Sequence, residues 1–538
     1  MFFAATRIAD LAAVYDIRQD CATVLPFPGG TIAMKTIVCS ALAAACLVAP
    51  VWGKDVPAWR GHAANAQHTA RAPAIGQSLA KIHWSTAVDL APPFEPGNKR
   101  PGGGELLIHY ASPMITAANT VLVPVKTTAK GNFEIQAVAG TNGSNIWTMK
   151  SDYLLPPYDW VPPLPAHLSR QNRLYVAGAG GTVWFRDSPD STTGASGQLA
   201  FYGIATYQKN KKTFNQNVMI DTPITADDKG NIYFGFVVLA SNPAGLVSGI
   251  ARMDAKGKGT WISASSAAAD PQITQVAMNC APAISADGTT IYIAVSNGAA
   301  GYLVGLDSTT LKPKYRTALI DPETLESAGI SDDSSAAPTI GPDGEVYYGV
   351  VASQSNPTQH NCRGWLLNFT ADLGTENTPG SFGWDDTVSI VPANAAPQYA
   401  GKGSYYLMSK YNNYYDCGTG NGHNEIAILD PNATRKDEYS DVTVMKEVET
   451  LLDPNQVPGE PKGAVYEWCL NTAVVDRKNK AVIANAEDGY AYRWDLTNNT
   501  QVHLQLNAPT GEAYTPTLLG PDGTIYAINN ATLYAIGN

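Results

Sequence analysis

One pattern recurs along most of the chain and constrains its fold more than any other feature. Each copy has a proline, a short apolar segment, a turn that is often Asp-Gly, and an apolar segment centred on tyrosine, as in CAPAISADGTTIYIAVS from Cys280. Asp-Gly between two segments of alternating hydrophobicity strongly indicates a β-hairpin, because both turn residues tolerate positive φ. The pattern predicts repeated hairpins rather than a bundle of helices.

Eight copies of this pattern can be identified. The three clearest begin at Cys280, Ser335 and Ala513, and the weaker ones begin at Tyr110, Pro165, Asp221, Ala395 and Asn471. Consecutive copies are about sixty residues apart, which is longer than a WD40 repeat. We align the sixth copy on Pro397, because proline suits the start of a strand, where its missing N–H is not needed.

Two further apolar segments follow each hairpin. The third ends in Asp or a substitute, as in GYLVGLD at Asp307 and GYAYRWD at Asp495, and the fourth often carries an aromatic residue such as Trp147 or Trp261. Four strands per unit are typical of a propeller blade. The sequence therefore predicts an all-β fold, an eight-bladed β-propeller of four-stranded antiparallel blades with little helix.

The two ends of the chain are predicted to close the ring. The last copy stops at its third strand, at Asn538, whereas KIHWSTAV at residues 81–88 has no partner in its own repeat. Adding this N-terminal strand to the last blade places Trp84 near Tyr534. It also removes the open sheet edges that promote aggregation.

The beginning of the chain has the features of an export signal. Residues 34–53, MKTIVCSALAAACLVAPVWG, have a basic start, an apolar run and small residues before Lys54. This organisation predicts a secretory signal peptide, and the run is too short for a membrane span. We expect residues 1–33 to be an over-extended start, residues 54–538 to be a single propeller domain, and the protein to be periplasmic or secreted. A genuine N-terminal extension and a lipoprotein processed at Cys46 are the alternatives.

Charge limits the class of partner. The chain of 538 residues has a formal net charge of −11 and only 15% charged residues. Non-specific binding to nucleic acid or to anionic lipid requires a basic surface, so neither is expected. The expected partner is a protein or a small-molecule or carbohydrate ligand. The protein itself is expected to be a monomer.

Four cysteines follow the predicted signal peptide. Cys362 and Cys417 fall in equivalent loops of neighbouring blades, and we predict a disulfide between them. Cys280 and Cys469 are three blades apart, and the sequence leaves open whether they are paired or are free thiols. The cysteines are too scattered for a zinc site, and the spacing of His62 and His68 favours packing over metal binding.

The candidate ligand-binding residues lie on one rim. Antiparallel blades place the first hairpins on one rim and put the loops between strands two and three, together with the connections between blades, on the other. The second rim, which we call the long-loop rim, has its longest loops at residues 240–248, 353–363 and 409–424. Long loops tend to carry function. The candidates on this rim are Asp221, Asn279, Asp332, Asp333, Tyr411, Tyr414, Asp416, Glu467, Trp468 and Glu512.

Two interpretations of these residues stay open. Carboxylates around a pore mouth can bind calcium through oxygen ligands, or they can be solvated acidic loops beside a water-filled pore. The aromatic stretch around Tyr411 can stack on a sugar or quinone ring, or it can be a turn-rich loop held by a disulfide. No metal site is assigned.

The repeat resembles that of the quinoprotein-like eight-bladed propellers, roughly dGxvYvg followed by gxlyAlDxxtGxxxW. Unit four, with ADGTTIYIAV and GYLVGLD, and the lead-in WRGHAANAQHTA at residues 59–70 carry the resemblance. It implies the fold. For function it implies either a dehydrogenase that uses pyrroloquinoline quinone and calcium, an assembly scaffold, or a non-catalytic member. Those dehydrogenases use a pair of adjacent cysteines, and this chain has none.

Three functions therefore remain open. The absence of a transferable catalytic motif favours an exported binding or scaffold module that works through the long-loop rim. The first alternative is a quinone- and calcium-dependent dehydrogenase, with Asp332 or Asp333 as ligand or base. The second alternative is a polysaccharide lyase or hydrolase, which would need paired carboxylates or a Tyr and His pair.

Overall fold

Eight antiparallel sheets follow one another along the chain and form an eight-bladed β-propeller. The computed structural model describes residues 58–92, 107–108, 110–157, 160–161, 164–330, 336–415, 417–509 and 513–538. Within a blade the strands pair in sequence order, so the first strand lies nearest the axis. The predicted fold class is confirmed. The predicted signal peptide lies outside the described residues.

The first four blades each have four principal strands. They are Met114–Ile115, Thr120–Thr128, Gly131–Ala139 and Asn145–Ser151 in blade one; Ala166–Leu168, Arg173–Gly178, Thr182–Asp187 and Ser196–Ala200 in blade two; Thr225–Ala226, Ile232–Val238, Gly249–Met253 and Gly259–Ser263 in blade three; and Ala283–Ile284, Thr290–Ser296, Gly301–Asp307 and Pro313–Ala318 in blade four. Blades three and four have an additional short strand, Val218–Ile220 and Gln275–Val276, beside strand two.

The other four blades are more varied. Their strands are Thr339–Ile340, Val346–Val350 and Trp365–Phe369 in blade five; Ser389–Pro392, Tyr405–Lys410, Glu425–Lys436 and Thr443–Leu452 in blade six; Val474–Asp476, Ala481–Asn485, Tyr490–Asp495 and Thr500–Gln505 in blade seven; and Leu518–Leu519, Ile525–Asn529, Thr532–Gly537 and Lys81–Ala87 in blade eight. In blade five, isolated bridges from Leu366 to Gly380 and from Phe369 to Glu376 stand in place of a fourth strand.

Helices are few and short in the described part of the chain. Ile204–Lys209 and Lys211–Asn217 connect blades two and three, and Ala264–Ala268 follows blade three. Leu107–Ile108 and Trp160–Val161 form a short parallel pair outside the blades. None of the described helices is long and apolar enough to cross a membrane.

Burial decreases from the axis outward and explains the sequence pattern of the strands. Every residue of the second strand Thr290–Ser296 is buried, because sheets pack against both of its faces. The fourth strand Pro313–Ala318 has no buried residue. The second strands therefore read as continuous apolar segments, whereas the fourth strands were recognisable mainly by an aromatic residue.

The chain ends close the ring as predicted. Lys81–Ala87 pairs antiparallel with Thr532–Gly537, with Ser85 opposite Tyr534 and Trp84 opposite Ala535. The backbone groups of the last strand are thereby paired on both sides.

The predicted position of the first strand in blade six is wrong. That strand is Ser389–Pro392, so Pro397 lies after it rather than before it. Residues 393–404 connect it to Tyr405–Lys410 without an Asp-Gly turn. Because this connection lacks an Asp-Gly turn, the sequence does not show where the hairpin of the sixth copy begins. The alignment therefore places the start of that copy at Pro397, after the actual first strand.

Residues 59–72 lie inside the ring, against the first strands. Their backbone accepts hydrogen bonds from Leu168, Ile284, Ile340, Ile390 and Val475, which belong to five different blades, and the backbones of Trp59 and Ile115 bond in both directions at 2.8 and 2.7 Å. This segment satisfies backbone groups of the first strands that have no partner in their own blade. It therefore occupies the axial channel and separates the two rims.

Candidate ligand-binding site at the long-loop rim

Five residues hold the same position in different blades, four residues before the first strand. They are Tyr110, Asp221, Asn279, Asp385 and Tyr514, in blades one, three, four, six and eight. All five are buried. Because this position follows the connection from the previous blade, it lies at the axial mouth of the long-loop rim.

A cavity of about 50 Å³ opens at this mouth. His62 of the axial segment lines it, together with residues that lead into the first strands of six blades. The others are Tyr110, Ala111, Ser112, Leu164, Pro165, Ala166, Pro223, Asn279, Asn471, Tyr514 and Pro516. One buried water needs about 10 to 15 Å³ of such space, so the cavity holds a few waters or one small chemical group.

Asn279 presents an unsatisfied carboxamide to this cavity. The residue is 2% exposed, and neither its Nδ2 nor its Oδ1 has a hydrogen-bond partner in the protein. Its backbone N–H donates to the carbonyl of Asp221 at 3.0 Å. Its φ of 60° is in the left-handed region, where asparagine is favoured over most residues. Leaving a buried polar group unpaired costs about 1–3 kcal/mol, which indicates that water or a ligand bonds to this amide.

His62 contributes a second unsatisfied group. Its ring packs edge to face on His68, with 5.3 Å between ring centroids, as the packing interpretation predicted. Burial lowers the pKa of His62 to about 3 and that of His68 to about 4, so both rings are neutral at pH 7. His68 Nδ1 lies 2.6 Å from the Pro338 carbonyl, whereas His62 Nε2 has no hydrogen-bond partner.

A buried charged cluster adjoins the cavity at Tyr514. The Tyr514 hydroxyl donates to the backbone carbonyl of Asp385, and the Lys410 ammonium lies 5.2 Å from the Tyr514 ring centroid. Lys410 Nζ is 3.6 Å from the Asp385 carboxylate, and its side chain is only 2% exposed. The lysine and this aspartate therefore compensate each other's charge next to the cavity.

Asp386 is the titratable group of this cluster. Burial raises its pKa to about 7, although Ser409 Oγ and the Lys410 N–H donate to its Oδ2 at 2.8 and 3.2 Å. Its Oδ1 has no hydrogen-bond partner. A carboxyl group with a pKa near neutrality can take up or release a proton at physiological pH, which is the property of a general acid or base.

The structure brings some of the predicted residues together and separates others. Asp221 and Asn279 are neighbours at the axial mouth, where the Asn279 N–H donates to the Asp221 carbonyl. Tyr414 packs near Trp384, with 6.1 Å between ring centroids, on the side of Lys410. Tyr411 lies in a different place, with its ring 4.3 Å from the guanidinium carbon of Arg363.

Trp468 and Glu467 are less suited to binding than expected. Trp468 is fully buried and packs on Tyr492 with 4.9 Å between ring centroids, so it belongs to the core of blade seven. Glu467 is partly exposed, and its carbonyl accepts a hydrogen bond from Glu487. The remaining candidates, Asp332, Asp333, Asp416 and Glu512, lie outside the described residues.

The disulfide prediction is confirmed. Cys362 and Cys417 are bonded and connect the loops between strands two and three of blades five and six. Within the described ranges, neither Cys280 nor Cys469 takes part in a disulfide. Burial raises the pKa of Cys280 to about 12, so this thiol is not reactive at neutral pH.

Sequence reasoning missed Asp385, Asp386 and Lys410. The signal was present, because WDDTVSIV has Asp and Thr ahead of a short apolar strand, as DTPITA does at Asp221. Aligning the sixth copy on Pro397 placed WDDTVSIV in the previous unit. Lys410 carries no sequence signal of its own, since it ends an apolar strand like any surface lysine.

A cavity of about 470 Å³ lies on the opposite rim. It is lined by the axial segment and by first hairpins, including residues 227–229 and 285–288. Its charges are mixed, and Arg170 and Asp228 form an ion pair at 2.7 Å with both side chains exposed. This arrangement is typical of a solvent-filled vestibule.

Comparison with known proteins bears on the fold. No family model and no curated protein matches the sequence. Among solved structures, a europium-containing methanol dehydrogenase aligns over 88% of this chain and 89% of its own, with 9% identity and a TM-score of 0.52. The chain shares the eight-bladed propeller fold of this structure.

Two further structures agree with this result. The quinohemoprotein alcohol dehydrogenase from Comamonas testosteroni aligns over 90% of this chain and 81% of its own, with 11% identity and a TM-score of 0.53. The quinohemoprotein alcohol dehydrogenase ADHIIG from Pseudomonas putida HK5 aligns over 89% and 76%, with 10% identity and a TM-score of 0.50. At such identities the likeness establishes the fold alone.

The axial cavity, as the described residues line it, does not fit the quinone and calcium that the resemblance in the repeats implies. A cavity of about 50 Å³ is far smaller than the roughly 300–1,000 Å³ of pockets for molecules of that size. No group of three His, Cys, Asp or Glu side chains in the described ranges is arranged to hold a metal. The chain also lacks the adjacent cysteines of the dehydrogenases that it resembles.

Proposed function

We propose that this protein is an exported binding module that holds a small, neutral, hydroxyl-bearing ligand group in the axial cavity of the long-loop rim. The observation that carries the proposal is the carboxamide of Asn279, which is buried at the cavity with both polar atoms unpaired. A buried donor and acceptor without partners favour a ligand that supplies both, and a hydroxyl group does so.

The surroundings of Asn279 support a neutral ligand. The neutral His62 ring adds one more hydrogen-bonding nitrogen, and Lys410 and Asp385 compensate each other. Three prolines, Pro165, Pro223 and Pro516, line the cavity with apolar surface. Apolar walls with a few convergent polar groups are typical of small-molecule sites. The suitable chemical group is a small alcohol or the hydroxymethyl end of a larger molecule.

Saturation-transfer NMR with methanol, ethanol, ethylene glycol and methyl β-glucoside tests this proposal. We expect at least one probe to give a signal with the wild type and to lose it with Asn279→Ala. Asn172→Ala is the matched control, because Asn172 has a similar φ of 58° but lies in a hairpin turn of blade two on the opposite rim. A panel without binding, or binding that Asn279→Ala leaves unchanged, would contradict the proposal.

The dehydrogenase alternative is tested in parallel. The protein is incubated with pyrroloquinoline quinone and calcium chloride, and the absorbance spectrum and dye-linked alcohol oxidation are recorded. We expect neither a bound-quinone spectrum nor turnover. Bound, redox-active quinone would overturn the non-enzymatic proposal and would direct attention to Asp386 as a proton acceptor.

The export part of the proposal has its own test. The sequence of residues 34–53 supports cleavage before Lys54. N-terminal sequencing of the protein from a periplasmic fraction should begin at Lys54. Recovery of uncleaved chain from the cytoplasm alone would contradict export without affecting the axial site.

A further inference from the structure

A second polar cavity of about 370 Å³ lies beside blade six and is independent of the axial site. We call it the blade-six groove. It is lined by the loops that Cys362 and Cys417 connect and by the outer strands of blade six. Its lining includes Arg363, Tyr411, Asn413, Glu425, Arg435 and Glu447.

Arg363 is a buried cation that the protein does not neutralise by direct contact. The residue is 1% exposed, and no carboxylate of the described residues forms an ion pair with it. Its Nε donates to the Ser381 carbonyl at 2.8 Å, and its Nη1 donates to the carbonyls of Tyr411 and Asn412. Its Nη2 has no hydrogen-bond partner. A buried charge without a counterion is costly, so this arrangement favours an anion that comes from outside.

Aromatic rings surround the same guanidinium. Its central carbon lies 4.3 Å from the Tyr411 ring centroid, 5.1 Å from that of Tyr439 and 5.5 Å from that of Phe382. These rings stabilise the cation and hold its plane, but they accept no strong hydrogen bond from Nη2. A planar guanidinium held in this way is suited to a carboxylate.

Three glutamates line the groove, Glu425, Glu438 and Glu447, and two of them have polar partners other than Arg363. Glu447 accepts hydrogen bonds from Arg435 and from the Tyr411 hydroxyl. Glu425 accepts from Thr450 Oγ1 at 3.2 Å, and burial raises the pKa of its carboxyl. None of the three glutamates is within ion-pair distance of Arg363, so no carboxylate of the groove contacts its guanidinium directly.

The loop before Arg363 is built at a conformational cost. Gln359–Cys362 are four consecutive residues with φ between 46° and 58°. Left-handed backbone costs about 1–2 kcal/mol for each residue of this kind. The disulfide to Cys417, and a hydrogen bond from Asn361 Nδ2 to Asn413 Oδ1 at 3.0 Å, hold the loop in place. Such strain persists where the surrounding structure enforces it, often at binding sites.

The rest of the groove suits a hydroxylated ligand. Asn413, Asn421, His423 and Thr450 provide donors and acceptors along its length. The volume of about 370 Å³ is within the range of small-molecule sites. A ligand that combines a carboxylate with several hydroxyl groups is a uronic acid. We propose that the blade-six groove binds an acidic oligosaccharide, with the carboxylate of one uronic acid unit on Nη2 of Arg363.

Calorimetry with digalacturonate and with neutral galactobiose tests this proposal. We expect digalacturonate to bind the wild type at least about tenfold more tightly than galactobiose, because only the acidic sugar neutralises Arg363. Arg363→Gln should remove that preference. Equal binding of both sugars, or no binding of digalacturonate, would overturn the proposal without any use of a variant.

Two controls separate the possible explanations. Arg186→Gln removes another arginine on an aromatic ring, 4.2 Å from the Trp147 ring centroid, and should leave sugar binding unchanged. Arg363→Lys keeps the charge but not the fork, and should retain part of the preference if the variant folds by circular dichroism. Binding of glutarate as tight as that of digalacturonate would overturn the sugar assignment. Asn279→Ala should bind digalacturonate normally, which separates this site from the axial cavity.

Discussion

Trp84 and Tyr526, which come from opposite ends of the chain, pack against each other with 5.8 Å between their ring centroids. Trp84 Nε1 also donates to the Gly140 carbonyl of blade one at 2.8 Å. One side chain therefore joins the closing strand to blade eight and to blade one. This seam is where the ring depends on the N-terminal strand.

Removing the Trp84 side chain should weaken this seam. We expect Trp84→Ala to lower the free energy of unfolding by about 2 kcal/mol, because it removes a half-buried ring that packs on Tyr526 and one of the two hydrogen bonds to the Gly140 carbonyl. Trp84→Phe, which keeps ring packing and loses the hydrogen bond, should cost about 1 kcal/mol. Urea unfolding followed by circular dichroism measures both. If Trp84→Ala lowered the free energy of unfolding less than Trp84→Phe does, the Trp84 ring would not stabilise the seam.

His62→Phe should stabilise the protein and weaken its axial site. The substitution removes a buried nitrogen without a partner and keeps an aromatic ring on His68, so we expect about 1 kcal/mol of added stability at pH 7.5. Because burial lowers the pKa of His62 to about 3, the unfolded chain binds the proton more readily, and the wild type loses stability as pH falls below about 6.5.

The pH dependence provides a second measurement of the same residue. The stability difference between His62→Phe and the wild type should widen by about 2 kcal/mol between pH 6.5 and 4.5. Chemical unfolding at several pH values gives this difference directly. A constant difference would show that His62 is protonated equally in the folded and unfolded states.

The pH dependence of stability that arises from Asp386 should be opposite in sign to that from His62. Its folded pKa of about 7 lies above the unfolded value, so the folded protein binds the proton more readily and gains stability as pH falls through 7. We expect the wild type to gain about 1 kcal/mol relative to Asp386→Asn between pH 8 and pH 6. Denaturant titrations of both proteins test this. Parallel curves would contradict a titrating carboxyl group at this position.

The disulfide should matter for the blade-six groove more than for the axial site. Replacing Cys362 and Cys417 with serine removes a crosslink between residues that are 55 positions apart in the sequence. This change should lower the free energy of unfolding by about 2–4 kcal/mol. It should also weaken digalacturonate binding, because the strained loop before Arg363 loses its crosslink. Axial ligand binding should persist. Equal loss at both sites would indicate general unfolding instead.

Much of the fold was predictable because its determinants are local. Asp-Gly turns such as the one at Gly288 define hairpins, and the repetition of one hairpin in eight places leaves few architectures. Cys362 and Cys417 could be paired by their equivalent positions in neighbouring units. Blade six was misplaced because its first two strands lack the short turn that made the other hairpins recognisable.

The binding sites were predictable only in part. Asp221 and Asn279 were identified because they precede recognised first strands. Asp386 precedes strand one and Lys410 ends strand two of a blade whose alignment was displaced, so their proximity had no sequence signal. Arg363 was passed over because a lone arginine in a loop looks like a solvated surface residue until its burial is known.

The amino-acid sequence by itself determined the hairpins, the number of blades, the closing strand and the disulfide, since each depends on turn chemistry or on equivalence between repeats. Only the tertiary structure decided that residues 59–72 fill the axial channel, because their backbone hydrogen bonds to first strands reach six blades and leave no periodicity in the chain. It also decided which polar groups remain unpaired. Whether a buried amide or guanidinium finds a partner depends on neighbours brought in from distant parts of the sequence.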